Sequence, residues 1–166
     1  MTLVSGLRAA AQGVPFMPIA GVFGSDLART NGWRTVRDPY GDTEVYAIPA
    51  VRPDVAVIHA AEVDALGNAR VFGTPFWDHP LTRAARRVLV TAERLVPTGH
   101  LARQPELTLV PHFMVEAVAI VDHGAWPGSC HPLYGVDYPA LQAWMDDSPG
   151  ALARHLEAAP EREAHD

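Results

Sequence analysis

The stretch Val51-Arg-Pro-Asp-Val-Ala-Val-Ile-His-Ala-Ala-Glu-Val-Asp-Ala-Leu-Gly-Asn68 predicts a buried strand followed by a tight turn. Its apolar, β-branched centre begins at Val55, directly after a Pro-Asp pair, and predicts a strand over residues 55–60. Residues Asp64, Gly67 and Asn68 are typical of a tight connection, because Asp bonds its own backbone and Gly-Asn tolerates positive φ. We therefore expect these three residues to have a structural role in the turn.

Similar short apolar runs recur along the chain and predict further strands. The predicted strands cover residues 44–48, 55–60, 69–73, 87–92, 107–110 and 117–121. Several are continuously apolar, which is typical of strands buried on both faces. A helix predicted from about Pro80 to Arg86 separates two of them, and this order of elements favours a right-handed crossover. We therefore predict an α/β fold with an open, largely parallel sheet and flanking helices.

The remaining segments are predicted as helices, loops and a tail. Pro15 and Pro18 each remove a backbone donor, so the passage from residue 14 to 24 is expected to be extended and rich in loops. Two turn clusters bracket an exposed loop or hairpin between residues 28 and 43. Helices are predicted over residues 2–12, 138–145 and 149–158, one domain over residues 1–159, and a charged tail over residues 160–166.

The composition excludes several classes of protein. The chain has 166 residues, of which 48% are hydrophobic and 19% charged, enough for one domain with a core. A net charge of -6 disfavours a nucleic-acid partner. No apolar run approaches the ~20 residues of a membrane helix, and the first residues lack the pattern of an export signal. A single cysteine excludes an internal disulfide and fits a reducing cytoplasm.

Five segments spread over most of the chain carry a family resemblance. They are Gly13-Val14-Pro15-Phe16, Gly24-Ser25-Asp26-Leu27, the stretch from Val51 to Asn68, Ala92-Glu93 and Gly124-Ala125-x-Pro127. Together they resemble the A-type subunit of the family I coenzyme A transferases, in the glutaconate CoA-transferase group. The resemblance implies a NagB/RpiA/CoA transferase-like fold. It matches the carboxyl-terminal half of such a subunit, so we expect an incomplete fold.

The resemblance also implies substrates and partners. The family transfers coenzyme A from an acyl-CoA to a carboxylic acid, and it places the catalytic glutamate on a B-type subunit. We therefore expect this chain to need a separate amino-terminal half, a B-type subunit, or both, and to be inactive alone. Relatives in the same superfamily instead perform hydrolytic ring opening of steroid-derived CoA thioesters. A third alternative is a non-catalytic interaction subunit, in which exposed apolar side chains of the first third form an interface.

The resemblance implies that Phe16, Gly24, Ser25 and Asp26 lie at the substrate cleft. A glycine lets a ligand approach the backbone, while a hydroxyl and the following amides can hold a carboxylate or thioester oxygen. The alternative from residue type alone is a helix cap, in which Ser25 or Asp26 accepts from the amides that follow.

Glu93 is a candidate general base or nucleophile, because it follows a predicted strand at the sheet edge where α/β folds place ligands. The structural alternative is a helix N-terminal carboxylate or a partner of Arg87 or Arg94. The chain lacks the Ser-Glu-Asn-Gly type motif of the family's catalytic glutamate, which favours the structural alternative. Glu62 is assigned no role.

The eight histidines show no metal-ligand spacing, so we predict no metal. His123, Cys130 and His131 form one local cluster, for which a coincidence in a surface loop is favoured over a metal or Cys-His site. A hydrolase with a Cys130 nucleophile and His112 or His131 as base would need no partner. It ranks below the alternatives that depend on a partner.

Overall fold

A computed structural model describes residues 2–146, 150 and 153–154. The chain divides into two compact units, residues 1–124 and 125–166, and each is described by itself. The expectation of one domain over residues 1–159 stays a prediction. The predicted helix at 149–158 and the predicted tail at 160–166 lie mostly or wholly outside the described residues. No helix within the described part is both long and apolar enough to cross a membrane.

The first unit begins with a helix and a small antiparallel sheet. Helix α1 spans Thr2–Ala11, as predicted, and strand β1 (Phe16–Ile19) follows it in the proline-rich passage. A short helix α2 (Asp26–Thr30) leads into strands β2 (Arg34–Arg37) and β3 (Glu44–Pro49). The strand order is β1-β3-β2, and both pairs are antiparallel. Proline within β1 is compatible with this position, because β1 is an edge strand.

The second sheet of this unit confirms the predicted α/β class. Strand β4 spans Val55–Val63, β5 spans Ala69–Arg70, β6 spans Arg87–Leu95 and β7 spans Ala117–Ile120. Their order is β5-β4-β6-β7, in which β4, β6 and β7 are parallel and β5 is an antiparallel edge. The expected strand at 44–48 exists as β3, but it belongs to the smaller antiparallel sheet.

Helices α3 (Asp78–Ala84) and α4 (Thr98–Ala102) connect the strands of this sheet. The core of the unit consists of small and β-branched side chains on one face of β4 and β6, among them Ile58, Val88 and Val90. Helix α1 packs on α3 through Leu7, Ala10 and Ala84. The helix approaches its neighbours closely at Gly6, where an added Cβ would lie 2.6 Å from a methyl of Val51.

The prediction of a strand at residues 107–110 is wrong. The structure has 3₁₀ turns at Pro105–Leu107 and His112–Met114, and the segment between them pairs with the sheet through one bridge, from Val110 to Ala69. Prolines at both ends of the segment remove donors that a strand would need.

The second unit contains helix α5 (Tyr138–Asp146), which the sequence predicted within one residue. Trp126 packs edge-to-face on Trp144 and donates its indole N–H to Asp137 at 3.0 Å. Asp137 also accepts from the amide of Ala140 in the first turn of α5. These contacts fasten the start of the helix to the preceding loop.

Candidate functional site

The parallel pairing of β4 and β6 brings a histidine and a glutamate together. His59 lies opposite Thr91 in the register, and Glu93 is two residues further along the same strand. Because side chains alternate along a strand, all three point to the same face of the sheet. That face is opposite to the core that contains Ile58 and Val90.

Both imidazole nitrogens of His59 are hydrogen-bonded. Nδ1 lies 2.9 Å from the Thr91 hydroxyl, and Nε2 lies 2.7 Å from Oε1 of Glu93. The side chains of His59 and Glu93 are 16% and 6% exposed. A charge-assisted contact of this length in a nearly dry environment is a strong one.

Glu93 also holds the turn that follows β7. Its carboxylate accepts the backbone N–H of His123 at 2.9 Å and that of Gly124 at 3.1 Å. His123 has a positive φ of 52°, and a Cβ added to Gly124 would lie 2.5 Å from the His59 ring. The glycine is therefore required by its close approach to the imidazole.

The predictions for Glu93 need correction. Strand β6 continues to Leu95, so Glu93 lies inside the strand and not beyond its end. Its partner is His59, whereas Arg87 pairs with Glu116 and Arg94 pairs with Glu62. The carboxylate is thus occupied by one side chain and two amides, which fits a group that positions other residues.

One group of donors near this turn could accommodate a cation. Glu93, Asp122 and His123 each offer one ligand atom, and these atoms lie within 4.8 Å of one another. The predicted absence of a metal stays a prediction. Cys130 is buried, and its carbonyl accepts the amide of Tyr134.

The segment Gly24-Ser25-Asp26 begins helix α2. The Ser25 hydroxyl accepts the amide of Leu27 at 3.2 Å and caps the helix, and Gly24 has a φ of 75°. Asp26 pairs with Arg29 on the surface at 2.8 Å. The geometry shows the capping alternative, and the expected contact with substrate stays a prediction.

Phe16 forms a wall of two open cavities on the small antiparallel sheet. One has a volume of about 310 Å³ and the other about 630 Å³. Phe16 itself is 38% exposed. The lining side chains of the first cavity are mostly apolar, and Arg34 supplies its charge.

Glu62, to which the sequence assigned no role, is the centre of a buried ion cluster. Its carboxylate lies 2.6 Å from Arg94, 3.6 Å from Arg70 and 3.4 Å from His100. The Glu62 and Arg70 side chains are 4% and 2% exposed, and Arg70 also donates to two backbone carbonyls. The cluster ties β4, β5 and β6 to helix α4.

The turn after β4 is built around Asp64. Its carboxylate accepts the amides of Leu66 and Asn68 and the side-chain N–H of Asn68, at 2.8 to 3.0 Å. Gly67 has a φ of 101°, as expected for a residue at this position of a turn. Burial acts to raise the pKa of Asp64, but hydrogen bonds from Asn68, Thr98 and Leu66 outweigh it and hold the pKa below its ordinary value.

We expect Asp64 to make stability dependent on pH in acid. Because the pKa is depressed in the folded state, the carboxylate stabilises the fold above the unfolded pKa of about 3.9, and this contribution is lost as the pH falls through the folded pKa. Urea unfolding should therefore show that wild type has a higher free energy of unfolding than Asp64→Asn. This difference should be constant near neutrality and shrink below about pH 4. A difference that stays unchanged down to the acid limit would contradict this assignment.

A comparison with known families decides the affiliation. Residues 1–120 match the coenzyme A transferase family. The chain belongs to this family. It is 31% identical to the A subunit of glutaconate CoA-transferase from Acidaminococcus fermentans, over 82% of this chain and 48% of that subunit. It is 36% identical to the IpdA subunit of a cholesterol ring-cleaving hydrolase from Mycobacterium tuberculosis, over 80% of this chain and 49% of that subunit. The chain thus spans about half the length of these curated relatives.

Solved structures confirm the fold of the family. The crystal structure of glutaconate coenzyme A-transferase from Acidaminococcus fermentans superposes with a TM-score of 0.84 at 27% identity, over 93% of this chain and 55% of that one. A variant of the decarboxylase AibA/AibB superposes with a TM-score of 0.81 at 36% identity, over 94% of this chain and 57% of that one. The relatives therefore include a transferase and a decarboxylase with a similar fold, and a hydrolase with a similar sequence.

Proposed function

We propose that the chain is the A-type component of a complex that transfers coenzyme A between carboxylic acids. Its substrates would be an acyl-CoA and a free carboxylic acid, and a B-type subunit would supply the catalytic glutamate. The relatives named as the A subunits of CoA-transferases support this assignment. The single cysteine supports a location in a reducing compartment such as the cytoplasm.

The environment of Glu93 is the observation that supports placing the catalytic nucleophile on the partner subunit. A carboxylate nucleophile must reach the thioester carbonyl with a free oxygen. Glu93 is 6% exposed, and both of its oxygens accept hydrogen bonds from within the chain. Glu93 therefore holds His59 and the turn after β7 in position, and we assign the nucleophile to the partner subunit.

The proposed reaction uses two carboxylates in turn. The partner's glutamate attacks the acyl-CoA carbonyl, which releases CoA thiolate and leaves an acyl-glutamyl anhydride. The thiolate then attacks the glutamyl carbonyl of the anhydride, which frees the first carboxylic acid and leaves a glutamyl-CoA thioester. The second carboxylic acid repeats the two steps in reverse, so that a new acyl-CoA forms and the glutamate is regenerated.

In this proposal the chain shapes the acyl side of the cleft. Phe16 would contact the acyl group, because it is a half-exposed aromatic side chain on the walls of two cavities. Gly24, eight residues after Phe16, would allow a ligand to approach the backbone closely, while Ser25 and Asp26 fix the following helix. Coenzyme A itself would be held mainly by other parts of the complex.

The exposed face of the parallel sheet supports a further partner. Parallel sheets are normally covered on both faces. On the face that carries His59, Val55 and Val57 are 39% and 60% exposed. A separate amino-terminal half of the subunit would cover such a face, and the same surface supports the alternative of a non-catalytic interaction subunit.

Hydrolysis is the alternative chemistry that a specific finding favours, namely the 36% identity to a ring-cleaving hydrolase subunit. Water would then attack a ring carbonyl of a cyclic CoA thioester and break the adjacent C–C bond, so that the product is an opened ring that still carries its CoA. The sheet, the His59 network and the Phe16 cavities would serve both reactions. The two functions therefore differ in the acceptor and in the partner.

Affinity purification of the tagged chain from its native cells at low salt, with mass spectrometry of everything retained, tests the proposal. We expect a B-type subunit, and we expect the recovered complex to move CoA from acetyl-CoA to added carboxylic acids. Products are followed by liquid chromatography and mass spectrometry. Absence of a new acyl-CoA, together with addition of water to a cyclic CoA thioester, would favour the ring-opening hydrolase, and recovery of the chain by itself would contradict both.

A further inference from the structure

One face of the small antiparallel sheet carries two neighbouring cavities, which together are called the groove here. Residues paired directly across strands share a face, so the register defines its members. They are Phe16 and Pro18 of β1, Val45, Ala47 and Pro49 of β3, and Arg34 and Val36 of β2. The two cavities described above lie along this face and share Phe16 as a wall.

The groove combines apolar walls with one available cation. Arg34 lies opposite Ala47 and lines the smaller cavity together with Phe16 and Trp33. Among the described residues Arg34 enters no ion pair and no side-chain hydrogen bond. Arg37, three residues further along, is instead paired with Asp42.

We propose that this groove binds the carboxylate end of a short apolar carboxylic acid, with Arg34 as the residue that determines specificity for the charge. That this acid is a donor or acceptor of CoA rests on the proposed function. A guanidinium presents two parallel N–H groups that match a carboxylate. Arg34 is exposed, so the charge pair selects for a carboxylate while the apolar walls supply most of the contact with the ligand.

The dimensions of the groove suit a short acyl chain. Arg34 and Val36 are separated by about 7 Å along β2, at roughly 3.3 Å per residue. A carboxylate at Arg34 therefore leaves an apolar body to lie over Phe16, Val36 and Val45. The larger cavity, at about 630 Å³, is within the range of small-molecule sites. Its charged wall residues are already engaged, since Arg37 pairs with Asp42 and Asp38 accepts the amide of Tyr40.

Binding of two probes to the full chain tests the proposal. Hexanoate and 1-hexanol share an apolar body and differ in charge, and NMR titration of the arginine Nε–H and backbone amide signals reports where each one binds. We expect hexanoate to shift the signals of Arg34 and Phe16 and to bind more tightly than 1-hexanol. Arg34→Gln should weaken hexanoate binding about 2- to 5-fold, as for an exposed ion pair, while 1-hexanol is unaffected.

Arg86→Gln is the matched control, because it removes an exposed arginine that already has a carboxylate partner, Asp54, and that lines neither cavity. We expect it to leave hexanoate binding unchanged. Equal effects of the two variants, or hexanoate shifts away from the groove, would overturn the proposal. The titration needs neither CoA nor a partner subunit, so a failure of the proposed transferase activity would leave its outcome unaffected.

Discussion

Replacing Glu62 by leucine is expected to lower the free energy of unfolding by about 3–5 kcal/mol, because it leaves a buried cation without its counter-charge. Arg70 is 2% exposed and would keep its bonds to two backbone carbonyls but lose the carboxylate. Arg94 and His100 are about half exposed and can recover water, so most of the loss comes from Arg70. Urea denaturation of the two proteins, followed by circular dichroism, measures the difference.

A matched control and a rescue make this result specific. Glu116→Gln removes a carboxylate from the exposed pair with Arg87, and we expect almost no change in the denaturation midpoint. Replacing Arg70 by methionine in the Glu62→Leu background removes the stranded charge and should recover part of the stability. A Glu62→Leu protein as stable as wild type would show that the buried cluster is not a source of stability.

Replacing Glu93 by alanine should have the next largest effect, a loss of about 1–3 kcal/mol of unfolding free energy. It removes the acceptor of the His59 imidazole and of the amides of His123 and Gly124. The two amides belong to exposed residues and can bond water, whereas the His59 side chain is 16% exposed. The loss is measured by urea denaturation, and the signals of residues 122–124 should shift in amide NMR spectra.

Glu93→Gln separates a positioning role from a nucleophilic one. The amide keeps an oxygen that can accept from the backbone of the 122–124 turn, so stability should fall less than in the alanine variant. In the assembled complex we expect turnover to remain within about 10-fold of wild type. Loss of a covalent nucleophile typically costs on the order of 10⁴-fold or more, so a decrease of that size would make Glu93 the catalytic group.

Most elements of the larger sheet were predictable from sequence. Strands β4, β6 and β7 were expected within about three residues at either end, because apolar, β-branched runs are typical of strands. The expected burial on both faces is wrong for this chain, since Val55 and Val57 of β4 and all of β7 are exposed. Helix α1 followed from apolar spacing before a glycine. The segment at 107–110 is equally apolar but is flanked by prolines, and the prolines decide its structure.

The sites were less predictable, because they depend on register between distant strands. His59 and Glu93 are separated by 34 residues and meet because β4 and β6 pair in parallel. Glu62 and Arg94 meet through the same register. Sequence does carry a signal for both pairs. A charged residue inside a strand that is otherwise buried needs a partner, and here the partner is on the neighbouring strand.

The groove at Arg34 also depends on strand register and was therefore hard to predict from sequence. The sequence indicated an exposed loop or hairpin between residues 28 and 43. The structure has β2 in this range, and the second turn cluster joins it to β3, which begins at Glu44. Whether Arg34 or Arg37 shares a face with Phe16 depends on the register of three strands, which a shift of one residue would reverse. The structure places Arg34 on that face.

The location of enzyme-bound CoA tests the central claim most directly. The purified complex is incubated with acyl-CoA and no acceptor, and hydroxylamine then converts any glutamyl-CoA thioester into a hydroxamate that peptide mass spectrometry can locate. The account predicts a hydroxamate on a glutamate of the partner subunit, with the peptide that contains Glu93 unmodified. A hydroxamate on Glu93, or on any other carboxylate of this chain, would contradict it.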